Sequence, residues 1–465
     1  MTTDAPGVRR ARRAPMPAAW HRDTVTALCW TRATIVAGLW VAGGNLSDLH
    51  GPAGPALTAL GRLAGLMAAD LLLMQVLLMA RIPAVERAYG QDELARRHRT
   101  VGFASFNLLL AHIGLIVFGY ALLDGDGPPA ELWSMITTYP GMLLATAGTA
   151  LLVLVTVTSI RAARRRLRYE SWHLLHLYAY LGVGFSVPHQ IWTGADFASS
   201  GVARLYWWGS YVLAAGAVVA CRVGMPIRRN LRHRLRVTEV VRETSDVVTV
   251  RMSGHALADL PVGAGQFFVF RFLDGPGWTR GNPYSLSAAP NGVGIQITVK
   301  DLGDGSGRLT KLPPGTRVLI EGPYGRLTAD RRIRPKIVMI ACGIGITPLG
   351  ALLDELEYRA GDATLLYRAR TTQDFALRAQ IDELAARRGV TVHYLPGPRV
   401  PERESWLPAG AAHWPDPGAL VHLAPALTES DVYVCGPDEW MDAVRAAALA
   451  AGLAPERLHE ERFTW

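Results

Sequence analysis

Cysteine is scarce and scattered in this chain of 465 residues. The four cysteines, Cys29, Cys221, Cys342 and Cys435, stand singly, and no two of them have the CxxC spacing of a zinc or iron–sulfur site. Disulfide bonds and cysteine-ligated metals are therefore not expected. The sequence also has no internal repeat, no low-complexity tract and no D-x-D-x-D-G calcium loop, so regulation by an attached calcium-binding domain is unsupported.

A cleavable leader is not expected either. The first fifteen residues hold Arg9, Arg10, Arg12 and Arg13, but no short apolar core followed by a small-residue cleavage site begins there. We therefore expect residues 1–23 to form a retained cytoplasmic tail.

Hydrophobic residues make up 50% of the chain, and the formal net charge is +9. The arginines form short blocks beside apolar runs and do not build one basic surface with interleaved aromatic side chains. This distribution favours membrane topology over nucleic-acid binding. The length indicates two or three domains.

Six apolar stretches reach the roughly twenty residues that a membrane-spanning helix needs. They lie near residues 24–44, 56–80, 100–123, 139–160, 171–192 and 203–222. The intervening segments rich in arginine are 81–99, 161–168 and 222–236, and those without arginine are 45–55, 124–138 and 193–202. The positive-inside rule then predicts a six-span domain over 24–222 in the plasma membrane, with both chain ends in the cytoplasm.

Histidines occur in the third and fifth of these spans. His98 and His112 are fourteen residues apart, which is close to four helical turns and predicts one shared face with about 21 Å between the rings. His176 and His189 lie in the fifth span, again with one near the cytoplasmic end and one deeper. The expected pairs are His98 with His176 and His112 with His189, and each pair suits the two axial positions of a haem iron.

Alternatives remain open at these histidines. A single intramembrane histidine is often only a hydrogen-bonded residue of the bundle. His173 could compete with His176 for the inner haem, although we interpret it as a packing or interfacial residue. In an ideal helix His176 and His189 would not share a face, so Pro188 is expected to kink or rewind the helix between them.

Two further polar residues lie in the second span. Arg62, near the predicted outer end, is a candidate for contact with a haem propionate or an anionic acceptor. Asp70, near mid-membrane, is interpreted as one member of a local ion pair, and a local pair or snorkelling is also the alternative for Arg62.

After Arg236 the pattern changes to short alternating runs such as "VVTVRM", "QFFVFRF" and "GIQITVK", separated by turn residues. This pattern predicts an antiparallel β-barrel over 232–330. Over 336–465, apolar strands such as "KIVMIAC" and "DVYVCG" alternate with helical segments, which is typical of a doubly wound parallel sheet. The predicted fold is therefore multi-domain, with a helical membrane bundle, a barrel and an α/β domain.

Two motifs of the predicted barrel suit a flavin. In "GNPYSLSAAP", Tyr284 and Ser285 can supply the aromatic surface and the hydroxyl group that a flavin dinucleotide needs. In "KDLGDGSGRLTKL", free N–H groups at Gly305, Ser306 and Gly307 can cradle a pyrophosphate. Each motif taken alone can also be an ordinary strand or turn.

A dinucleotide site is predicted by "KIVMIACGIGITP", where a strand, a glycine turn and the start of a helix follow in order. Gly343 and Gly345 allow close backbone approach, Thr347 can bind a phosphate, and Pro348 suits the first helical turn.

Two further segments are expected at the same edge of this sheet. The segment "YVCGPDEWM" places Cys435, Gly436 and Pro437 at the carboxyl ends of the strands, where α/β ligands bind. Arg368 and Arg370 follow another strand and can hold an adenosine 2′-phosphate, which favours NADPH over NADH. Solvated charge is the alternative for both arginines.

The ordered set of motifs resembles the ferric reductase and NADPH oxidase superfamily, and most closely its bacterial membrane-bound branch with a ferredoxin–NADP reductase-like module. The resemblance covers nearly all of residues 20–465 and implies FAD, NADPH or NADH, and two b-type haems. By position it assigns His98 and His176 to the inner haem, His112 and His189 to the outer haem, Asn282, Pro283, Tyr284 and Ser285 to the flavin, and Gly343, Gly345, Thr347, Cys435, Gly436 and Pro437 to the nicotinamide site. Cys435 and Phe463 are its candidate catalytic residues, with Phe463 as the terminal aromatic over the flavin and Trp465 two residues beyond it.

Two departures from the family pattern stand out. Asn282 replaces the usual Arg or His of the flavin motif, and Ile116 replaces a histidine found near the oxygen-reducing site of eukaryotic NADPH oxidases. The resemblance implies electron transfer from NAD(P)H through FAD and haem to an acceptor at the outer face: a ferric chelate, oxygen, a quinone or a redox protein. We expect ferric-chelate reduction, with a superoxide-generating oxidase and a haem-binding scaffold or sensor without turnover as the alternatives.

Overall fold

The computed structural model describes residues 20–160, 169–275, 277–401 and 403–462. Backbone contacts divide the chain into two compact units, one ending at Val223 and the other running from Gly224. The first unit is helical, and every described strand lies in the second. Most of the predicted tail, Phe463 and Trp465 lie outside the described residues.

The described part of the first unit has six long helices. They are α1 (Trp20–Ala42), α3 (Ala53–Met79), α5 (Gln91–Asp124), α7 (Met142–Ser159), α8 (Tyr169–Trp192) and α10 (Gly201–Ala217). Between them lie four short helices: α2 (Asn45–Asp48), α4 (Pro83–Tyr89), α6 (Pro128–Thr138) and α9 (Ala195–Ala198). Glycine and proline determine where two of these helices begin. Gly141 adopts a φ of 83° immediately before α7, and Pro83 is the first residue of α4.

Five segments in the described part of the chain are long and apolar enough to cross a membrane. They are Asp23–Ala42, Ala53–Met79, Glu93–Asp124, Met142–Ser159 and Gly201–His233. The predicted fifth span corresponds to α8, which is long enough with 24 residues but is not one of the five. Its three histidines and its tyrosines make it more polar than the others, so the six-span count stays a prediction.

Glycine brings the long helices together in two pairs, α3 with α5 and α7 with α8. A Cβ atom on Gly148 of α7 would lie 2.7 Å from the carbonyl oxygen of Gly182 in α8. A Cβ atom on Gly61 of α3 would lie 2.9 Å from Cγ1 of Ile116 in α5. Small residues of this kind let apolar helices pack backbone to backbone, as membrane helices do.

The second unit begins with helix α11 (Met225–His233) and two antiparallel three-stranded sheets. The first sheet has the order β1 (Arg236–Arg242), β2 (Val247–Ser253), β5 (Gly294–Lys300), and the second has the order β4 (Asn282–Ser285), β3 (Phe267–Phe272), β6 (Val318–Tyr324). Isolated bridges, Arg236 to Arg317 and Leu286 to Ile297, connect the edges of the two sheets. Alternate residues such as Phe268, Phe270 and Ile297 are buried between them, as period-two patterning requires.

A five-stranded parallel sheet completes the second unit. Its order is β11 (Leu458–Glu461), β10 (Ser430–Cys435), β7 (Lys336–Cys342), β8 (Ala363–Ala369), β9 (Thr391–Pro396). The helices are α12 (Asp304–Gly307), which follows β5, and α13 (Ile346–Glu355), α14 (Arg378–Arg388), α15 (Asp416–Leu423) and α16 (Asp438–Ala450) of the parallel-sheet domain. Met339 and Ile340, successive residues of β7, are buried in separate clusters on the two faces. A sheet covered on both faces explains the continuous apolar runs of its strands.

Asp431 at the start of β10 connects the parallel sheet to the segment that leads into it from the antiparallel sheets. Its buried carboxylate accepts hydrogen bonds from the backbone N–H groups of Ile333 and Arg334, at 2.7 and 2.5 Å, and lies 2.9 Å from Nε2 of His459 in β11. The segment that leads from the antiparallel sheets into β7 is therefore held by one carboxylate.

Candidate redox sites

The two histidines of α5 both face α3. His98 Nδ1 lies 3.3 Å from the backbone carbonyl oxygen of Gln75, and His112 Nδ1 lies 2.8 Å from that of Gly61. Gly61 and Gln75 are fourteen residues apart, as are His98 and His112. The antiparallel helices therefore repeat the same contact at two levels.

These contacts determine which ring nitrogen can bind a metal. A carbonyl oxygen only accepts hydrogen bonds, so Nδ1 of each ring carries the hydrogen and Nε2 keeps its lone pair. The side-chain amide nitrogen of Gln75 lies 3.5 Å from Nε2 of His98, which fits an unprotonated acceptor. Metal-binding histidines are commonly oriented in this way by a carbonyl group on the far nitrogen.

His176 of α8 lies opposite His98, with 5.9 Å between the ring centroids. Its Nδ1 atom lies 3.3 Å from the hydroxyl oxygen of Ser159, and the ring of Trp172 lies 5.0 Å away between centroids. Two metal–nitrogen bonds of about 2 Å each place facing imidazole nitrogens about 4 Å apart. The spacing of the His98 and His176 rings is of the size that a shared metal ion needs.

His189 lies near the end of α8, where Gly141 packs against its backbone; a Cβ atom on Gly141 would lie 2.8 Å from the amide nitrogen of His189. The Nδ1 atom of His189 is buried and has no hydrogen-bond partner among the described residues. A buried unpaired nitrogen is available to a ligand.

The helices that carry the four histidines, α5 and α8, are not a closely packed pair, since the extended backbone contacts join α3 to α5 and α7 to α8. Packed helices lie about 8–10 Å apart, so the facing imidazoles bridge a wider space of the kind that a flat prosthetic group requires. The described ranges contain no group of three or more His, Cys, Asp or Glu side chains that could hold a metal ion. A haem iron, with only two protein ligands, fits this donor set.

His173 and Pro188 keep their predicted roles as hypotheses. His173 is partly buried one turn before His176. Helix α8 continues through Pro188 to Trp192.

Arg62 and Asp70 lie in two separate polar networks of the helical unit. Arg62 donates to the side-chain oxygen of Asn45 at 3.3 Å, and the amide of Asn45 donates to the carboxylate of Asp196 at 2.8 Å. Arg62 thus takes part in a local network that the sequence did not reveal.

Asp70 forms an ion pair with Arg32 of α1 and accepts a hydrogen bond of 2.8 Å from the hydroxyl group of Tyr206 in α10. The interpretation of Asp70 as an ion-pair member agrees with this contact. Its partner Arg32 was missed because no spacing rule connects the first span with the second.

The flavin motif forms strand β4 beside the glycine-rich turn. Tyr284 pairs with Phe268 of β3, and burial raises the pKa of Tyr284 to about 12, so its ring is neutral at physiological pH. The hydroxyl group of Ser285 is buried and has no hydrogen-bond partner among the described residues. An aromatic ring beside an orphaned hydroxyl fits a bound flavin. A Cβ atom on Gly305 would lie 3.4 Å from the side-chain oxygen of Asn282, so motif and turn lie together; Pro283 lies between Asn282 and Tyr284 in the strand.

The turn itself differs from the sequence expectation. The N–H groups of Ser306 and Gly307 both donate to the carbonyl oxygen of Gly303, at 3.1 and 2.9 Å. They are engaged within the turn and are not free to cradle a pyrophosphate, which leaves Gly305 as the remaining predicted backbone donor.

The predicted dinucleotide site lies where β7 and β10 end side by side. Gly343 adopts a φ of 55°, and a Cβ atom on Gly345 would lie 2.1 Å from the carbonyl oxygen of Cys435. A Cβ atom on Gly436 would lie 2.9 Å from the Cβ atom of Cys342 at the end of β7. Any side chain at 345 or 436 would thus force the two strand ends apart, and Pro437 precedes α16 at the same edge.

Two residues of this edge are less accessible than predicted. Thr347 is buried, and its hydroxyl group donates to the carbonyl oxygen of Ile344 at 2.9 Å; Pro348 is buried in α13 beside it. Cys435 is fully buried, and burial raises the pKa of its thiol well above the ordinary value. A protonated, enclosed thiol cannot attack a ligand, which corrects the expectation that Cys435 is a catalytic residue.

The two arginines after β8 have different environments. Arg368 is 4% exposed, and its guanidinium group donates to the carbonyl oxygens of Trp406, Gly397 and Pro398 at 2.9 to 3.0 Å. This corrects the expectation that Arg368 binds a 2′-phosphate, because its donors already bind the backbone. Arg370 is exposed and remains a candidate.

Comparison with known proteins identifies two family domains in this chain. Residues 64–187 match the ferric reductase like transmembrane component family, and residues 339–446 match the oxidoreductase NAD-binding domain family. The chain is a ferric reductase-like membrane flavoprotein. An apolar helical region is followed by a module with an oxidoreductase NAD-binding domain, and the chain spans just under two thirds of the length of the first reductase subunit that it matches.

Relatives of this ferric reductase-like chain include reductase subunits. It is 28% identical over 246 residues to the glycine betaine monooxygenase reductase subunit of Chromohalobacter salexigens, covering 50% of this chain and 65% of that one. It is 30% identical over 244 residues to the ferredoxin–NAD(+) reductase component of the alkene monooxygenase system of Xanthobacter autotrophicus, covering 50% and 70%. The FAD/NAD-binding domain of nitric oxide dioxygenase from Vibrio cholerae, a solved structure, is 23% identical, with 50% and 99% covered and a TM-score of 0.37.

Proposed function

We propose that this protein passes electrons from cytoplasmic NAD(P)H through FAD and two b-type haems to an acceptor at the outer face of the plasma membrane, and that a ferric chelate is the acceptor. The proposal includes six membrane spans within 24–222, a flavin barrel over 232–330 and a nucleotide domain over 336–465, with both ends of the membrane domain in the cytoplasm. His98 and His176 are the proposed ligands of the inner haem, and His112 and His189 those of the outer haem.

The observation that carries the proposal is the orientation of the α5 histidines. The Nδ1 atoms of His98 and His112 face carbonyl oxygens of α3, at 3.3 and 2.8 Å. Nε2 of each ring therefore keeps a lone pair, which in His98 faces the side-chain amide nitrogen of Gln75 at 3.5 Å. His176 and His189 on α8 supply a second imidazole at each level. A histidine that only cross-links helices would not need the same tautomer twice at a fourteen-residue interval.

The chain's own groups position the cofactors and exclude water. When bound, FAD accepts a hydride from the nicotinamide, and haem iron carries single electrons. Tyr284 offers a neutral aromatic surface and Ser285 a free hydroxyl group. Gly345 and Gly436 let the ends of β7 and β10 lie close together at the edge where a dinucleotide would bind. Arg370 is the proposed contact for a 2′-phosphate and supports NADPH as donor.

Ferric-chelate reduction is favoured over superoxide production by the surroundings of His112. Ile116, one turn further along α5, packs against Gly61. The side chain of Ile116 offers oxygen no proton donor, and Arg62, which follows Gly61, already donates to Asn45 at 3.3 Å. The superoxide-generating oxidase is the second candidate, because the rest of the electron path is the same for both.

The haem assignment is tested by histidine substitutions in the full chain. We expect His112→Ala and His189→Ala each to lower the haem content from two equivalents per chain to about one, measured by pyridine haemochrome assay. His173→Ala is the matched control in α8 and should keep both haems. Unchanged haem in His112→Ala and His189→Ala would contradict the assignment.

The acceptor is tested on one preparation with ferric chelates and with superoxide detection in parallel. NADPH-driven ferrous iron formation without superoxide supports the reductase, and the reverse result supports the oxidase. A purified chain without flavin absorbance and without NAD(P)H-dependent haem reduction would leave only a scaffold or sensor.

A further inference from the structure

The inner face of helix α11 packs against β6 of the sheet β4–β3–β6, in which β4 carries the predicted flavin motif. The side chain of Asn230 donates to the carbonyl oxygen of Ile320 at 2.9 Å and accepts from the N–H group of the same residue at 2.8 Å. The guanidinium group of Arg229 donates to the carbonyl oxygen of Gly322, and His233 is buried. These contacts attach α11 to strand β6.

The outer face of α11 combines exposed apolar and basic residues. Ile227 and Leu231, one helical turn apart, are 55% and 65% exposed. Arg228 and Arg232 follow them, one position further round the helix, and are also exposed. Arg232 forms a salt bridge of 2.6 Å with Asp259, in which both side chains are about half exposed; such surface pairs are weak and exchange readily with other anions.

The position of α11 in the chain brings this face to the membrane surface. The last apolar segment, Gly201–His233, has 33 residues, which as helix extend about 50 Å, whereas the hydrocarbon core of a bilayer is about 30 Å thick. Its final turns are therefore not needed to cross the hydrocarbon core and extend beyond it on the headgroup side. Residues 222–236 contain six arginines and no acidic residue.

We propose that the outer face of α11, formed by Ile227, Arg228, Leu231 and Arg232, binds anionic phospholipid of the cytoplasmic leaflet. This inference rests on the proposed function, which puts the end of the last span on the cytoplasmic side of the membrane. Apolar side chains enter the boundary between headgroups and acyl chains, and guanidinium groups bind the phosphates.

The test measures lipid binding to the full chain in detergent by native mass spectrometry. The probes are dioleoylphosphatidylglycerol and, as the neutral reference, dioleoylphosphatidylcholine. In Arg228→Gln/Arg232→Gln we expect phosphatidylglycerol binding to weaken about 25-fold, about fivefold for each arginine, with phosphatidylcholine unchanged. Arg387→Gln/Arg399→Gln is the matched control, because these arginines are 62% and 63% exposed in the nucleotide domain.

A second variant tests the apolar part of the face. Ile227→Ser/Leu231→Ser should weaken the binding of both lipids. Equal phosphatidylglycerol binding by the Arg228→Gln/Arg232→Gln variant and its control would overturn the proposal, and so would an equal loss of both lipids in the arginine variant.

FAD and haem are quantified on the same samples. Selective lipid binding by a chain without haem would contradict the proposed function and leave this inference standing. Full FAD and haem content with no preference for phosphatidylglycerol would contradict this inference and leave the proposed function standing.

Discussion

A Cβ atom on Gly65 of α3 would lie 2.6 Å from Nδ1 of His112 in α5. This separation is far below van der Waals contact, so the imidazole can rest on α3 only because residue 65 has no side chain. In that position its Nδ1 atom reaches the carbonyl oxygen of Gly61 at 2.8 Å. One glycine thus permits the tautomer that leaves Nε2 available.

Gly65→Ala should displace the ring of His112 and lower the haem content from two equivalents to about one. The proper measurement is pyridine haemochrome content together with the reduced-minus-oxidised spectrum of the purified chain. Gly114→Ala is the matched control, because a Cβ atom there has nothing within 4 Å and the residue lies two positions from His112 in the same helix. Two haems with an unaltered spectrum in Gly65→Ala would show that the orientation of His112 does not govern haem binding.

The sequence predicted how far apart the histidines lie along α5, but not the groups that orient their rings. The fourteen-residue spacing of His98 and His112 follows from helical geometry, so their common direction could be foreseen. Their partners are backbone carbonyl groups, which carry no signature of residue type. Gly61 and Gln75 have the same fourteen-residue spacing, and this match between two antiparallel spans is the one signal that could have identified them.

The predicted dinucleotide site was also only partly predictable from the sequence. Strand, turn and helix order correctly indicated where β7 and β10 end, because periodicity is a local property. The role of Arg368 depends on the carbonyl oxygens of Trp406 and Pro398, which come from a loop about thirty to forty residues later in the chain. No local pattern distinguishes that arginine from Arg370.

Arg370→Ala should raise the KM for NADPH about tenfold while the KM for NADH stays the same, because one charge-assisted hydrogen bond to a 2′-phosphate contributes about 1.5 kcal/mol. Steady-state kinetics with both dinucleotides and a soluble acceptor measure this ratio. Arg368→Ala is the matched comparison; we expect it to lower the free energy of unfolding by about 3 kcal/mol without changing the NADPH to NADH ratio. Loss of NADPH preference in Arg368→Ala alone would reverse the two assignments.

Cys435 should resist alkylation in the folded chain. Burial raises the pKa of its thiol well above the ordinary value, so little of the reactive thiolate exists at pH 8 and no path leads a reagent to it. Site-resolved mass spectrometry after iodoacetamide treatment, with and without denaturant, gives the measurement. We expect modification only in the denatured sample. Rapid labelling of the native chain at Cys435 would mean that the end of β10 opens and that the thiol is accessible to ligands.

Acid should weaken the contact between Asp431 and the segment before β7. Burial alone would raise the pKa of this carboxyl group, but the hydrogen bonds from His459, Arg334 and Ile333 outweigh it and hold the pKa below the ordinary value. Because the folded state binds the proton less tightly than the unfolded state, whose pKa is about 3.9, the stabilisation is complete above that value. It is lost as the pH falls through the lower folded-state pKa.

Asp431→Asn reports this contribution directly. The difference in free energy of unfolding between wild type and Asp431→Asn should shrink as the pH falls below about pH 4. Urea unfolding followed by flavin fluorescence measures it in the full chain. Asp354→Asn is the control, because that side chain is 36% exposed in a surface ion pair with Arg387 and should change stability by less than about 0.5 kcal/mol. A wild-type advantage that persists unchanged to pH 3 would show that the Asp431 carboxylate does not stabilise the segment through its charge.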